Sequence, residues 1–213
     1  MDDIGSSLRE EILNANVDMF NTFNVQPSAL ESGLVPLDLD VTPMDNSKTH
    51  KEGVAHTYKG FDGYAPMMAY IGTEGFLANT ELREGSQHCQ CNTPAFLKQT
   101  LRLGHQLTDK QLLVRMDAGN DAAENLGILI EDGSWFIVKR NLRRGESKKD
   151  WISKVKECCK DIRNPREGKT VYIGSSWKDV AYTDSEGKSK TITMRIVYEV
   201  IAVSYTHLTL PTT

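Results

Sequence analysis

Between Leu37 and Val41 apolar and acidic residues alternate strictly, so Asp38 and Asp40 share one face of a strand and Leu37, Leu39 and Val41 the other. Further on, Leu112-Leu113-Val114-Arg115-Met116 is an apolar strand that runs directly into Asp117, ahead of Ala118-Gly119-Asn120-Asp121. A carboxylate where an apolar strand runs out is a costly place for charge unless a cation binds there. Two such carboxylates on neighbouring strands make a donor set for a hard divalent metal. The first expectation is a sheet with an acidic end and metal-dependent phosphodiester chemistry.

The rest of the chain can be parsed around these two strands. Residues 7 to 20 read as a helix, capped by Ser6 or Ser7, with Leu8, Ile12, Ala15 and Met19 at helical spacing. Thr42 to Tyr64 is long, polar and glycine-bearing, and reads as a functional or disordered loop. Ala65–Ile71 and Phe76–Leu82 form a hairpin across Gly72-Thr73-Glu74-Gly75. Pro94 opens a helix that ends near Gly104, and a second helix runs from Ala122 to Gly133. Asp121-Ala-Ala-Glu124 has capping-box spacing, so Asp121 caps that helix or supports the acidic site. Trp135-Phe136-Ile137-Val138 reads as a short apolar strand with Trp135 in the core. Asp150 to Ile162 reads as an amphipathic helix stopped by Pro165 and Gly168. Strands follow at Val171–Trp177, Val180–Thr183 and Thr191–Ile201, with a turn at residues 184–187.

Composition narrows the function classes. At 213 residues the chain holds one large domain or one and a half. No apolar run approaches the roughly 18 residues of a membrane span, and the acidic start Met1-Asp2-Asp3 lacks a signal peptide's basic region. Cys89, Cys91, Cys158 and Cys159 lack zinc-site spacing and read as thiols of a reduced cytosol. The net charge of −4 argues against a wholly basic nucleic-acid surface. Positive charge is nevertheless concentrated: Lys139, Arg140, Arg143, Arg144, Lys148 and Lys149 follow the last core strand, and Lys48, Lys51 and Lys59, with the neutral Tyr58 among them, sit in the loop beside the first acid. Both groups are candidate phosphate contacts, against the plainer reading of solvated charge. His88, on a loop after Arg83-Glu84-Gly85, is a weaker one.

The stretch from Leu8 to Asn141 resembles the DDE transposases of bacterial insertion sequences. The resemblance is carried by Gly33-Leu34-Val35-Pro36-Leu37-Asp38-Leu39-Asp40-Val41-Thr42-Pro43, Asp45-Asn46-Ser47-Lys48-Thr49, Asp62-Gly63-Tyr64-Ala65-Pro66, Glu81-Leu82-Arg83-Glu84-Gly85, Gln87-His88-Cys89-Gln90 and Arg115-Met116-Asp117-Ala118-Gly119-Asn120-Asp121. It implies an α/β fold: a ribonuclease H-like mixed sheet with flanking helices, followed by the start of a β-rich insertion. The implied organisation is a helical lead-in over 1–33, a partial catalytic core over 34–144 and a partial helix and β-rich region over 145–201. It implies Asp40 and Asp117 as catalytic metal ligands for Mg²⁺, with Mn²⁺ as substitute, and selects Asp40 over Asp38 because the family pattern is acid, one residue, threonine. Expected partners are double-stranded DNA, as transposon ends and target, and a second copy in a full-length homodimer. The expected location is the bacterial cytoplasm and nucleoid.

The pattern also breaks. The family's third acid, a glutamate within a tyrosine–arginine–glutamate–lysine signature, has no match, since Glu199 lies in a strand-like run. Val203 to Thr212 can be written GTC TCT TAT ACA CAT CTG ACG CTG CCG ACG, which matches a mosaic-end sequencing adapter, so residues 202–213 read as a non-native tail. The expectation is a transposase truncated at both ends and inactive in strand transfer. The rival expectation is a non-catalytic DNA-binding or dimerising module that inhibits the full-length enzyme. A free-standing ribonuclease H-like nuclease is the third.

Overall fold

The computed structural model describes residues 3–142, 147–159 and 161–203. Two compact units emerge, one comprising Met1–Asn141 with Tyr182–Lys190, the other Leu142–Ala181 with Thr191–Thr213.

The first unit is built on a five-stranded mixed sheet. Its strands are β1 (Val35–Val41), β5 (Met67–Ile71), β6 (Phe76–Glu81), β7 (Leu112–Met116) and β8 (Trp135–Val138), in the spatial order β6-β5-β1-β7-β8. β5 and β6 pair antiparallel, as do β1 and β5, whereas β1–β7 and β7–β8 are parallel. Helices α1 (Asp3–Thr22), α2 (Thr93–Leu107) and α3 (Ala123–Asp132) flank the sheet. Leu37, Leu39 and Val41 of β1, with Val114 and Met116 of β7, are buried in one cluster with Leu13, Val17 and Phe20 of α1, Phe96, Leu97 and Leu101 of α2 and Leu129 of α3. The opposite face carries Tyr70, Asp38, Arg115 and Ile137 on successive strands, half-buried to exposed.

Several expectations need correcting. α1 begins at Asp3, so Ser6 and Ser7 lie inside it rather than at its cap. Its expected stripe points outward: Leu8, Ile12 and Met19 are exposed, and Leu13, Val17 and Phe20 are buried instead. Phe20 meets Phe76 edge-on at 5.2 Å, and Arg9 and Asn16 donate to Thr80 and Leu77 carbonyls of β6, which fixes the rotation of the helix. Trp135 is no core residue; it is 63% exposed and Ile137 59%, because β8 is the sheet edge and both stand on the uncovered face. The expected long loop contains a small sheet of β2 (Met44–Asp45), β3 (Ala55–His56) and β4 (Asp62–Tyr64), ordered β2-β4-β3. α2 runs past Gly104 to Leu107.

Near the end of this unit a hairpin tip, residues 182–190, lies on α3. Gly127 makes the approach possible, because a Cβ there would fall 1.7 Å from the Thr183 carbonyl oxygen. The Ser185 N–H and hydroxyl both donate to Glu131, and the buried Asp184 carboxylate accepts from Lys190 and from the Glu186 and Lys188 N–H groups.

In the second unit, α4 (Lys148–Cys158) starts at a capping box formed by Ser147 and Asp150 and ends earlier than expected. The chain instead turns into β9 (Asp161–Arg166), which pairs with β10 (Lys169–Thr183). β9 is an edge strand, where Pro165 is tolerated. The Cys159 sulfur lies 3.1 Å from the Asp161 carbonyl oxygen and 2.8 Å from that of Ile173, within reach of its one S–H donor. β10 is continuous where two strands were expected, and β11 (Ser189–Val203) completes the sheet. Ala202 and Val203 continue β11, and the rest of the expected tail lies outside the described residues.

Candidate functional site

Parallel pairing sets the site. β1 and β7 pair Asp38 with Arg115 and Leu39 with Met116, so one further step places Asp40 beside Asp117 where both strands end. Neighbouring strands lie about 4.8 Å apart, and residues two apart on a strand share a face. Asp38, Arg115, Asp40 and Asp117 therefore occupy the same face on two successive rungs.

The two rungs are electrostatically opposite. Arg115 donates from Nε and one terminal nitrogen to both oxygens of Asp38, each at 2.5 Å. Asp38 is thereby neutralised and structural. Asp40 accepts the Val41 N–H at 2.8 Å and makes no ion pair among the described residues. Its carboxyl is pushed above the ordinary range by partial desolvation and by the Asp117 charge, against the opposing pull of the Val41 N–H and Lys59. A carboxylate whose negative charge is disfavoured by burial and by a neighbouring carboxylate forms a place where a cation is favourable.

Tyr58 and Lys59 lean over this pair from the loop between β3 and β4. The Tyr58 hydroxyl lies 3.4 Å from the Val41 carbonyl oxygen. Its phenol is pushed up by loss of water, then by Asp40, Asp117 and Cys89. The Lys59 ammonium lies 5.4 Å from the Tyr58 ring centroid. Beyond β7, the Lys139 N–H donates to the Met116 carbonyl, which puts Lys139 one strand over from Asp117.

Other expected residues are not gathered in. Lys48 and Lys51 are exposed in the loop, Lys48 beside Asp45. Arg140 is half-buried. Arg143 and Arg144 lie outside the described residues. His88 uses its ring nitrogen locally, accepting the Gln90 N–H. Asp121 does not cap α3, whose N-cap is Ala122 with no side-chain bond. Its carboxylate instead accepts the Asn141 N–H and ties the exit of β8 to the Asp117 turn.

The sequence reading missed the layer beneath Asp117. A single 3₁₀ turn, Ala118–Asn120, follows it. Asp117 Oδ1 accepts from the Gly119 N–H at 3.0 Å and from Asn120 Nδ2 at 2.9 Å. The Cys89 thiol donates to the Gly119 carbonyl at 3.1 Å. That packing requires glycine, since a Cβ at Gly119 would lie 2.6 Å from the Cys89 sulfur. The buried Arg83 holds the Cys89 loop from below, donating to the Cys89 carbonyl and Thr93 hydroxyl. The Gly119-Asn120 pair, one residue beyond the acid's neighbour Ala118, was the available signal.

Asp40 and Asp117 are the side chains that could hold a divalent cation. Among the described residues no group of three or more His, Cys, Asp or Glu could do so. Two carboxylates still suit Mg²⁺, which keeps several waters and takes one or two carboxylates plus substrate phosphates. No described helix is long and apolar enough to cross a membrane.

No family model and no curated protein matches the chain. Among solved structures it is similar to a piggyBac transposase in a synaptic complex with hairpin DNA, at 12% identity and a TM-score of 0.38. The likeness covers 91% of this chain, which spans 40% of that one. A likeness at that level carries no functional argument.

Proposed function

We propose that this chain supplies the two strand-borne acids of a DDE-type DNA transposase, a metal-dependent enzyme that cuts and joins DNA strands at insertion-sequence ends. The observation that carries the reading is the pair Asp40–Asp117, side by side at the ends of two parallel central strands with no ion pair among the described residues. The sheet order β6-β5-β1-β7-β8, with β1–β5 antiparallel and β1–β7 parallel, supports a ribonuclease H-like core. The motif resemblance around both aspartates supports the same family.

In this reading Asp40 and Asp117 hold Mg²⁺ or Mn²⁺. A divalent metal held there would supply activation of an oxygen nucleophile and stabilisation of the leaving oxygen of a phosphodiester. Tyr58, Lys59 and Lys139 surround the pair and would meet the phosphates of bound double-stranded DNA. A third carboxylate has to join from outside the described cluster. Until it does, the chain binds metal and DNA without joining strands.

The test is Mn²⁺ binding by the chain, followed by electron paramagnetic resonance of free Mn²⁺. Asp40→Asn and Asp117→Asn should each weaken binding by at least tenfold, and Asp38→Asn should not. Equal binding by all variants would overturn the reading. The lack of a third acid in the described cluster favours a second reading, a non-catalytic module that binds DNA or dimerises with the full enzyme. It predicts salt-sensitive DNA binding that is indifferent to Asp117→Asn.

A further inference from the structure

We infer that Asn120 is a positioning residue that fixes which oxygen of Asp117 is offered to the metal. The inference rests on the reading of Asp40 and Asp117 as metal ligands.

Asn120 is fully buried, which is an expensive place for a carboxamide. Its two ends are treated differently. Nδ2 donates to Asp117 Oδ1 at 2.9 Å, while the buried Oδ1 has no partner among the described residues. A carboxylate only accepts, so the amide has to present its NH₂ to Asp117 and leave its oxygen unmatched. A buried orphan of this kind calls for an explanation. Here the explanation lies at the other end of the side chain.

Asp117 Oδ1 accepts two N–H bonds, from Gly119 and Asn120, which use both of its lone pairs. No described residue bonds to Oδ2. The site thus offers one oxygen in one orientation, which is monodentate presentation. The support continues outward. The Asn120 carbonyl accepts from Asn125 Nδ2 at 2.9 Å, and the buried Asn125 exchanges two side-chain bonds with Gln90, at 2.8 and 3.3 Å. Gln90 neighbours Cys89, whose thiol holds the Gly119 carbonyl. Two contacts that start from adjacent residues of one loop therefore lock the same turn.

Monodentate presentation has a consequence for metal choice. Mg²⁺ demands near-ideal octahedral geometry, and Mn²⁺ serves as its usual substitute, whereas Ca²⁺ takes carboxylates in either mode within flexible geometry. Partners behind a ligand typically contribute about 10–100-fold in metal affinity. Releasing Oδ1 should thus weaken Mn²⁺ selectively and spare Ca²⁺.

The experiment measures Mn²⁺ and Ca²⁺ affinity of the whole chain for wild type, Asn120→Ala and Gln90→Ala, with circular dichroism as the folding control. In parallel, three-bond couplings across the Asp117 χ1 torsion report its rotamer without metal. Asn120→Ala should lower Mn²⁺ affinity about tenfold, leave Ca²⁺ within about twofold, and turn a single Asp117 rotamer into an average. Gln90→Ala, in a half-buried loop position, should move all readouts the same way by a smaller factor, and stands in if Asn120→Ala does not fold. A parallel loss of both metals, or an unaveraged rotamer in the folded variants, would overturn the positioning role. If wild type binds no Mn²⁺ but the rotamer still averages in the variants, the metal reading falls and the positioning role stands.

Discussion

Two rungs of one strand pair, two residues apart, have been given opposite electrostatics. The lower rung joins Asp38 to Arg115 in a two-pronged ion pair, and the upper sets Asp40 against Asp117. Both lie on the same face of the same sheet, the lower within the paired strands and the upper where β7 gives way to a 3₁₀ turn. What differs is whether the protein supplies its own cation. The lower rung is paired within the chain, and the upper has no ion pair among the described residues. Behind both, Leu37, Leu39, Val114 and Met116 are buried on the covered face and hold the strands in register whatever happens in front.

The largest effect expected from this arrangement is on the covered face. Leu37 has no exposed surface, and truncation to alanine removes buried methyls and leaves a cavity. Leu37→Ala should cost about 3 kcal/mol in urea unfolding. Trp135, on the open face, should cost less than about 1 kcal/mol on truncation despite its greater size. Equal costs would mean that the open face is covered in solution, and the contrast between the two sides would fail.

A smaller effect is expected at the lower rung. Arg115→Ala leaves the lower rung, like the upper, with an acid that lacks a cation. Both partners are about two-fifths exposed, so solvent screens the pair. The bidentate geometry places it at the favourable end for surface pairs, about 0.5–1 kcal/mol. A double-mutant cycle with Asp38→Ala should recover that coupling, and it should shrink between low and high salt. A coupling of zero would show that the two-pronged geometry does not persist, and the rungs would then be more alike than they look.

These features were unevenly legible in the sequence. Period-two alternation and an acid closing an apolar run exposed β1, β7 and both aspartates, because strand faces are written directly into residue parity. α1 was legible as a helix but not in its rotation. Leu8-Ile12-Met19 and Leu13-Val17-Phe20 both have helical spacing, and only Phe76 and the β6 carbonyls decide between them. Trp135 was misjudged for a related reason: a four-residue apolar run does not say which of its faces is covered. The amide layer under Asp117 was hidden because Asn120, Asn125 and Gln90 meet only in the fold. The first two residues of β9, Asp161 and Ile162, were read as the end of a helix, because Pro165 looks like a stop signal until the strand is known to lie at an edge.

The smallest expected effect has the most telling sign. At the upper rung, desolvation and Asp117 both oppose the charge on Asp40, and the Val41 N–H and Lys59 favour it. The net shift is upward, so the charged form is less welcome in the folded chain than in the unfolded one. Ionisation of Asp40 therefore subtracts stability above its unfolded pKa. Asp40→Asn keeps an oxygen for the Val41 N–H and removes the repulsion. It should stabilise the metal-free chain, by about 0.3–0.5 kcal/mol once solvent screening of an exposed group is allowed for. Adding Mn²⁺ should reverse the order. Wild type gains stability in proportion to the logarithm of metal concentration over its dissociation constant, and the variant, with weaker binding, gains less. Thermal melts of the two chains with and without Mn²⁺ read this directly. If Asp40→Asn were less stable without metal, the carboxylate would already be satisfied by the protein, and the upper rung would be a second finished ion site rather than an open one.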